Sequence, residues 1–307
     1  MAQPLPATTT YQRARAAASL TETQAEHRIR QLCLHLEFFT SHPPLAMKSL
    51  SHGTTNLSYW VKTGRGEYVV RHYSPDVTGV CRQQELRCQH AAAVAGLSPA
   101  PLCLNNHQQV LISEFLADGC ELQLTEQRLP AMAKQLVALH RLRVQTPVLD
   151  PASYLDDLKQ HHQDNWSKQA QQSYDEVMQV IEQFMAMPED IVLTHLDLHP
   201  GNLLWQQQRI WLLDFEYAQL ADSSLDLASI IESFQLSEHQ SQQLLKSYQQ
   251  QRPNSQCLGW PRKLAAARVI YLAFCWLWYL ALEGGEQAAK QQWQLLQQAL
   301  YRFNALL

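Results

Sequence analysis

The sequence predicts a two-lobed α+β fold, in which a small antiparallel β-sheet lobe precedes a larger, mainly helical lobe. Two observations carry this prediction. Between residues 45 and 115, short runs with strand-like alternation are separated by turn residues, which is the pattern of an antiparallel sheet. From residue 127 onward, apolar residues recur mostly at helical spacing. The chain has 307 residues, which is enough for both lobes to bury a core.

The elements follow from these patterns in chain order. A helix over Thr21–Phe39 precedes the strands, and loosely docked or disordered residues 1–19 precede the helix. The strands of the first lobe are predicted at Met47–Leu50, Leu57–Lys62, Glu67–His72, Leu102–Leu104 and Val110–Phe115, with a helix at Val80–Ala95. The later helices are predicted at Gln127–Arg143, Ser153–Trp166, Lys168–Met187, Asp226–Phe234, Glu238–Gln251, Lys263–Glu283 and Glu286–Asn304.

Composition narrows the class of protein. The chain is 46% hydrophobic and has a net charge of −4 with both signs mixed, so we expect a globular protein that does not bind nucleic acid. The seven cysteines include no CxxC pair, which argues against a structural zinc site or a disulfide framework and favours a reducing cytoplasm. The N-terminus lacks the apolar core of a secretory signal.

One apolar run is nearly long enough to span a bilayer. It covers Leu264–Leu282 and is interrupted by Arg268, which leaves an unbroken stretch that is short for a membrane span. We therefore interpret the run as a buried helix of the larger lobe and expect no membrane association. A membrane anchor is the alternative.

The stretch Thr194–Tyr217 carries the chemistry. An apolar run breaks just before Asp197, the Pro200-Gly201 pair forces a turn before Asn202, and a second apolar run ends at Asp214. Two strands joined by a short loop would bring these three side chains to one end of a small sheet. A carboxylate beside a hydroxyl can orient it and take its proton, and amide and carboxylate oxygens are ligands that Mg²⁺ accepts. This set is suited to phosphoryl transfer.

Two runs carry a family resemblance. The run HLDLHPGN at His195–Asn202, followed by LDFEY at Leu213–Tyr217, resembles the catalytic core of the aminoglycoside phosphotransferase/choline kinase superfamily, nearest to its choline/thiamine kinase-like branch. That superfamily has a protein-kinase-like fold and uses ATP and Mg²⁺. The resemblance implies that Asp197 is catalytic and that Asn202 and Asp214 hold the metal.

The resemblance also implies a nucleotide-binding set in the first lobe. The loop Ser51–Asn56 would cover the phosphates. Arg71 stands where most kinase-like enzymes have a strand lysine, and its guanidinium can still bind phosphate through two bonds. Glu85 is its expected partner, and backbone groups near Glu114 and Leu116 would bond the adenine edge. The candidate cofactor-binding residues are Ser51, Gly53, Thr54, Asn56, Arg71, Glu85, Glu114 and Leu116.

The acceptor site is expected on the late helices. Trp276, Tyr279 and Glu283 form one stripe at helical spacing, and aromatic faces beside a carboxylate suit a cationic alcohol. The alternative is that the two aromatic residues only pack the core. Glu216 follows Asp214 by two, so on an extended segment both would point to the same side and Glu216 would join the metal or substrate shell.

Three further polar side chains are given supporting roles. His195 is expected to pack beneath the loop or bond backbone, and His199 either faces the phosphates or stabilises the loop. Asp226 matches the helix-start aspartate of the family, and the resemblance implies that it accepts backbone N–H groups near the catalytic loop.

These expectations define one function and its alternatives. Residues 1–115 would form the nucleotide-binding lobe and residues 116–307 the catalytic and acceptor-binding lobe. The expected activity is ATP- and Mg²⁺-dependent phosphorylation of a hydroxyl group on choline or a choline-like or thiamine-like alcohol, by a cytoplasmic monomer or homodimer. The alternatives are an aminoglycoside or sugar phosphotransferase and, in another class, an inactive kinase-like nucleotide-binding protein. The sequence leaves the choice between ATP and GTP open.

Overall fold

A computed structural model describes residues 24–50, 56–73, 80–160, 166–252, 260–282 and 284–306. In chain order the elements are α1 (Gln24–His35), β1 (Ala46–Ser49), β2 (Asn56–Lys62), β3 (Glu67–Tyr73), α2 (Arg82–Val94), β4 (Pro101–Asn105), β5 (Val110–Glu114), β6 (Cys120–Glu121), α3 (Leu129–His140), α4 (Pro151–Gln160), α5 (Lys168–Met185), β7 (Ile191–Thr194), β8 (Leu203–Gln206), β9 (Arg209–Leu212), β10 (Gln219–Asp222), α6 (Ser224–Ser233), α7 (Glu238–Gln251), α8 (Trp260–Ala281) and α9 (Glu286–Asn304).

The chain forms two compact units. The described residues of Met1–Val77, Gln89–Gln123 and Leu203–Leu213 make up the first, and those of Thr78–Cys88, Leu124–Asn202 and Asp214–Leu307 make up the second. Neither unit is one continuous stretch. The first turns of α2 belong to the second unit, and the hairpin of β8 and β9 belongs to the first.

The first unit contains a five-stranded antiparallel sheet in the order β1-β2-β3-β5-β4. The turn between β2 and β3 is closed by Thr63, whose N–H donates to the Gly66 carbonyl at 2.8 Å. Helix α1 contributes apolar side chains to the core on the sheet, which confirms the predicted small β-sheet lobe. The core residues are Ile29, Cys33, Leu36, Phe39, Tyr59, Val61, Val70, Val110 and Ile112.

The strands around the catalytic stretch lie in two different sheets. Strand β7 pairs antiparallel with β10, with Thr194 opposite Gln219, whereas β9 pairs with β8, which pairs in turn with β6. The expectation that Asp197, Asn202 and Asp214 lie at one end of a single small sheet holds for Asn202 and Asp214, which flank the end of the β8–β9 hairpin where Leu203 pairs with Leu212. It was wrong for Asp197, which follows β7 in the other sheet. The predicted strands exist, and the partner that the local pattern did not indicate is β10, which pairs with β7.

The second unit is mainly helical, as predicted. Helix α3 buries Leu129, Met132, Leu136 and Leu139 completely, and it packs against α7. Helix α7 begins at a capping box, in which Ser237 N–H donates to Gln240 Oε1 at 2.9 Å and Gln240 N–H donates to Ser237 Oγ at 3.3 Å. Such a cap satisfies two backbone donors and fixes where the helix begins.

Helix α8 is the apolar run of the larger lobe. Its residues Pro261–Ala281 are long and apolar enough to cross a membrane by length and composition, with a mean hydropathy of 1.6 over the best window, of which 56% is buried. It packs against α4, α5, α6 and α9, and Arg268 forms an ion pair with Glu232. This packing supports the interpretation of α8 as a core helix of the second unit.

Candidate active site

A buried carboxylate accepts backbone hydrogen bonds from the loop that carries Asp197. Strand β7 ends at Thr194, and Leu196 has a φ of 65°, a left-handed conformation that costs an ordinary side chain about 1–3 kcal/mol. His195 N–H and Leu196 N–H both donate to Asp226, at 2.9 and 2.8 Å. Asp226 is fully buried, and hydrogen bonds to a carboxylate are stronger than neutral ones. Asp226 thus stabilises the reversal that presents Asp197.

Helix α6 holds the other side of Asp197 as well. Leu198 N–H donates to Ser229 Oγ at 3.0 Å, and the same hydroxyl donates to the Leu198 carbonyl at 3.1 Å. Asp226 and Ser229 both lie on α6, one turn apart. Asp197 is therefore flanked on each side by a residue that is fixed to a single rigid helix.

Asn202 is brought onto Asp197 by a tight turn. Asn202 N–H donates to the His199 carbonyl at 2.9 Å, and its side-chain Nδ2 donates to the Asp197 carbonyl at 3.0 Å and to Asp197 Oδ2 at 2.8 Å. An amide whose nitrogen is committed in this way presents its oxygen in the opposite direction. Asn202 Oδ1 thus points away from the Asp197 carboxylate, and its role as a metal ligand stays a prediction.

His199 stabilises the loop and contacts Asp197. Its Nδ1 accepts the Gly201 N–H at 3.1 Å, and its Nε2 lies 3.6 Å from Asp197 Oδ2. A Cβ at Gly201 would come within 2.8 Å of the His199 ring, so a larger residue there would displace this ring. His195 is fully buried beneath the loop, with its ring 4.8 Å from that of Phe215. The expected loop-supporting contacts are therefore present for both histidines.

The Asp197 carboxylate is kept ionised by these neighbours. Burial raises its pKa, but the hydrogen bond and charge of His199, the charge of His195 and the Asn202 amide together hold the pKa of Asp197 below the ordinary value of 3.8. A carboxylate in this state at neutral pH can orient a hydroxyl group and accept its proton.

Replacing His199 with alanine is expected to shift the acid limb of the pH–rate profile to higher pH. His199 lowers the pKa of Asp197, so its removal raises that pKa, and the ionised carboxylate is then lost at a higher pH. The measurement is kcat/KM for both proteins from pH values below the ordinary pKa of 3.8 up to neutrality. His239→Ala, at an exposed position on α7, is the control. An acid limb that stays in place would show that His199 does not act on Asp197.

Asp214 follows β9, and its backbone has a left-handed conformation. Its φ is 64°, a conformation that aspartate tolerates better than most side chains. The chain then turns, and Ala218 N–H donates to the Phe215 carbonyl at 3.0 Å before β10 begins. The assumption that Asp214 and Glu216 share an extended segment was therefore wrong, because the backbone reverses between them.

Glu216 forms a buried ion pair with an arginine that the sequence analysis did not single out. Its Oε2 lies 3.1 Å from Arg82 Nη1, which is also 3.0 Å from Glu85 Oε2. Both carboxylates are buried. Burial lowers the pKa of Arg82, but the two carboxylates raise it to a net value above the ordinary one. The spacing of Arg82 and Glu85 was the signal that could have indicated this pair.

Helix α2 also holds the loop after Asp214 through its backbone. Gln84 Nε2 donates to the Ala218 carbonyl at 3.0 Å, and Cys88 Sγ donates to the same oxygen at 3.6 Å. The first two turns of α2 therefore bind Glu216 in the LDFEY run and Ala218, the residue that follows the run. Glu216 is accordingly placed as an ion-pair partner of Arg82, and a place in a metal or substrate shell stays a prediction.

The nucleotide-binding candidates of the first unit are only partly described. Ser51, Gly53, Thr54 and the side chain of Asn56 lie outside the described residues. Arg71 is half-buried on β3, opposite Ser58 of β2 and Leu111 of β5. Its pairing with Glu85, which belongs to the other unit, stays a prediction.

Two backbone groups of Glu114 and Leu116 already form hydrogen bonds within the chain. Glu114 N–H donates to the Ala100 carbonyl at 3.0 Å, and the Leu116 carbonyl accepts the Gly119 N–H at 3.3 Å. The Glu114 carbonyl and the Leu116 N–H are the other two backbone groups of these residues, and their contact with an adenine stays a prediction. An acceptor and a donor two residues apart match the donor and acceptor on an adenine edge.

Trp276 lies in the core of the second unit. It is 4% exposed, and its ring is 5.6 Å from that of Trp166. Trp166 and Tyr174 already hold a cation, because Lys159 Nζ lies 5.4 and 3.9 Å from their ring centroids. This arrangement is the core packing that was the alternative to a cation site at Trp276. Glu283 of the same predicted stripe lies outside the described residues.

A different group of aromatic residues includes two tyrosines whose pKa values the charge of Asp197 affects. Trp278 Nε1 donates to Tyr217 OH at 3.0 Å, and Tyr154 packs edge-on against Phe274 at 4.9 Å. We call these four half-buried residues the aromatic wall. Burial and the negative charges of Asp197 and Glu216 raise the pKa values of Tyr154 and Tyr217, which places both phenols within electrostatic reach of Asp197.

Cys275 and Tyr279 lie on α8 four residues apart, on either side of Trp278 in the sequence. Burial, and to a lesser degree the charge of Asp197, raise the pKa of the Cys275 thiol to about 12, so it is a neutral group. Tyr279 packs edge-on against Trp278 at 5.0 Å and is half-buried. The sequence analysis missed Tyr217 although it lies within the LDFEY run, and no local signal marked Tyr154.

The oxygen donors of the site fit Mg²⁺. Asn202 Oδ1 and the Asp214 carboxylate are hard ligands, which suit this ion. Among the residues that the structure describes, no group of three or more His, Cys, Asp or Glu side chains could hold a metal by itself.

The five-stranded antiparallel sheet, the helical second unit and the Asp197–Asn202–Asp214 set define a protein of the protein-kinase-like fold. Residues 46–263 match the model of the phosphotransferase enzyme family, and the chain belongs to that family.

Solved structures of the same fold include choline kinases. The structure is similar to choline kinase LicA from Streptococcus pneumoniae, with a TM-score of 0.77 and 19% identity over 91% of this chain and 100% of that one. A choline/ethanolamine kinase family protein from Mesorhizobium loti has a TM-score of 0.70 at 17% identity, covering 91% and 94%. The aminoglycoside phosphotransferase APH(4)-Ia has a TM-score of 0.66 at 18% identity, covering 90% and 98%.

A curated relative shows similarity in sequence. Protein LicA of Haemophilus influenzae is 28% identical over 207 residues, which are 64% of this chain and 60% of that protein. The chain thus matches less than two thirds of the length of this relative.

Proposed function

We propose that the protein is a kinase that uses ATP and Mg²⁺ to phosphorylate the hydroxyl group of choline or of a choline-like or thiamine-like alcohol. The observation that carries the proposal is the effect of the Asp197 charge on Tyr154 and Tyr217, the two tyrosines of the aromatic wall. Aromatic faces attract quaternary and aromatic cations. A cationic alcohol bound there would have its hydroxyl group within reach of a base.

In the proposed reaction Asp197 orients the acceptor hydroxyl and accepts its proton. The hydroxyl oxygen forms a bond to the γ-phosphorus of the nucleotide, the bond from that phosphorus to the bridging oxygen breaks, and ADP leaves. Because such transition states are loose, positioning of the hydroxyl matters more than the strength of the base. The hydrogen bonds from α6 and Asn202 supply that positioning.

Asn202 and Asp214 would hold the Mg²⁺ ion, which when bound supplies charge neutralisation at the phosphates. Arg71 is proposed to bind nucleotide phosphate from β3, together with the loop Ser51–Asn56. The Glu114 carbonyl and the Leu116 N–H are proposed to bond the adenine edge. The presence of Asp197, Asn202 and Asp214 argues against an inactive kinase-like protein.

The aminoglycoside or sugar alternative is supported by the similarity to APH(4)-Ia. Aminoglycosides carry several positive charges and would need clustered acids, whereas the wall beside Asp197 is aromatic and Glu216 is paired with Arg82. The aromatic wall therefore favours a single cation. We further propose that the protein is cytoplasmic and that it acts as a monomer or homodimer, with no nucleic acid or membrane partner.

A coupled ADP-release assay tests the proposal. Purified protein is incubated with Mg-ATP and, separately, with choline, ethanolamine, thiamine, sugars and aminoglycosides. ADP release that depends on choline or thiamine supports the proposal, and release with an aminoglycoside alone would overturn the acceptor assignment. A calorimetric titration that shows no Mg-ATP binding would overturn the kinase assignment itself.

Replacing Trp278 with leucine is expected to raise the KM for choline about tenfold, because a cation–π contact contributes about 0.5–2 kcal/mol. The KM for Mg-ATP should stay unchanged, which separates this effect from a general loss of folding. The measurement is steady-state kinetics with each substrate varied in turn. Tyr301→Leu, at a position on α9 that is 78% exposed, is the control. An unchanged KM for choline would remove Trp278 from the acceptor site.

A further inference from the structure

A chain of buried hydrogen bonds leads from the catalytic loop to the end of α7. Asp226 Oδ2 lies 3.1 Å from His140 Nε2, and His140 Nδ1 lies 2.7 Å from Tyr248 OH. Arg252 Nη1 donates to the same Tyr248 oxygen at 2.9 Å, and Arg252 Nη2 donates to Asp190 Oδ1 at 2.8 Å. Five side chains from separate parts of the second unit are thus joined in one series.

The two ends of this series lie at the two ends of β7. Asp190 immediately precedes the strand, and Asp226 accepts the N–H groups of His195 and Leu196, which immediately follow it. Strand β7 delivers Asp197 to the site. The series of hydrogen bonds therefore links the two ends of this short strand, which sets the position of the catalytic carboxylate.

The chemistry of the groups fixes the donors and acceptors at the two ends of the series. A guanidinium only donates and a carboxylate only accepts. Arg252 must therefore donate to Tyr248, and His140 Nε2 must donate to Asp226. Between these ends, His140 Nδ1 and Tyr248 OH share a hydrogen bond whose direction follows the protonation of the imidazole, and Ser223 is a further partner of the Tyr248 hydroxyl. Buried hydrogen bonds joined in this way polarise one another.

Burial makes the series sensitive to the loss of any member. Tyr248 and Asp226 are completely buried, and His140 is 5% exposed. Because these side chains are buried, bulk water does not reach them to replace a lost hydroxyl group. A buried donor or acceptor left without a partner lowers the stability of the folded state. A change at Tyr248 is thus expected to reach Asp226 through His140 rather than to be absorbed locally.

We propose that Tyr248 and Arg252 are positioning residues for the loop that carries Asp197, and that they act through His140 and Asp226. Neither residue is near the reacting atoms. Their effect is on the geometry of His195 and Leu196, and so on the orientation of the Asp197 carboxylate. The inference rests on the catalytic role of Asp197 proposed above.

The test is Tyr248→Phe, which removes the hydroxyl and keeps the ring that packs 5.6 Å from that of His140. We expect kcat with choline to fall about tenfold while the KM values for choline and Mg-ATP stay within twofold of wild type. We also expect faster amide hydrogen exchange at His195 and Leu196, with unchanged exchange in β3. Tyr301→Phe, on the exposed side of α9, is the matched control.

A second pair of variants tests the order of the series. Arg252→Gln should lower kcat, Arg252→Lys should restore part of it, and combining Arg252→Gln with Tyr248→Phe should reduce kcat no further than the larger single effect. Such non-additivity is expected of residues that act as a unit. The control is Arg87→Gln, an exposed position on α2. Independent, additive effects would contradict the series.

The outcomes separate this inference from the proposed function. Amide exchange does not depend on the acceptor, so a wild-type protein that ignores choline would contradict the acceptor assignment alone. If Tyr248→Phe lowers the melting temperature but leaves kcat and exchange at His195 and Leu196 unchanged, the residues act only in stability and the inference is wrong. If Tyr248→Phe does not fold, Arg252→Lys and Arg252→Gln carry the same two measurements.

Discussion

Replacing Asp197 with asparagine is expected to lower kcat by about 10²–10⁴-fold, the usual contribution of a positioned general base. Asparagine has the same shape and still offers an oxygen to Asn202 Nδ2, which now donates to Asp197 Oδ2 at 2.8 Å. The loop should therefore stay in place while the base is lost. The measurement is the turnover number with saturating choline and Mg-ATP.

Binding of Mg-ATP is expected to survive this change, because Asp197 is not one of the predicted metal ligands. Calorimetric titration of the variant with Mg-ATP checks this separately from turnover. Asp175→Asn, at an exposed position on α5 where the partner is Gln171 of the same helix, is the control and should behave as wild type. Near-normal turnover in Asp197→Asn would show that another group takes the proton.

Replacing Asp226 with alanine is expected to destabilise the second unit by about 3–5 kcal/mol. The change leaves His195 N–H, Leu196 N–H and His140 Nε2 without their buried acceptor, and each unsatisfied buried donor costs about 1–3 kcal/mol. The left-handed conformation of Leu196 also loses its support. The measurement is the midpoint of urea-induced unfolding.

The control for this stability experiment is Asp175→Ala, which removes an exposed carboxylate. Surface substitutions of this kind usually change stability by no more than about 0.5 kcal/mol. A midpoint for Asp226→Ala that matches that of the control would show that the buried hydrogen bonds of Asp226 contribute nothing net. Loss of activity without loss of stability would instead assign Asp226 a role in chemistry.

Helices with clear periodicity were readable from the sequence. Glu238–Gln251 and Glu286–Asn304 have the predicted bounds, and the antiparallel sheet of the first unit was expected from its alternating runs. The pairing of β7 with β10 was not readable. The run Gln219–Asp222 has little strand-like alternation, and its partner lies outside the local pattern.

Within the site, the sequence indicated which residues carry oxygen atoms but not how the backbone turns between them. Aspartate enters the left-handed region only occasionally, so nothing marked Asp214 as the point of reversal that separates it from Glu216. On α8 the segment Phe274–Tyr279 is aromatic or apolar on every side. Periodicity could not decide whether Trp276 or Trp278 faces the core, because both positions are compatible with burial.

The lysine between Trp166 and Tyr174 bears on how the protein distinguishes one cation from another. Lys159 Nζ lies 3.9 Å from the Tyr174 ring centroid and hydrogen-bonds Gln171 at 3.2 Å, so these two rings are saturated by a tethered ammonium. A freely diffusing ammonium compound would have to displace the Lys159 ammonium, which is covalently tethered beside these rings. The aromatic wall near Asp197 does not face that competition from Lys159. Lys159 thus occupies one pair of aromatic rings that could otherwise bind a cation, and the proposed acceptor site at the aromatic wall is a separate one.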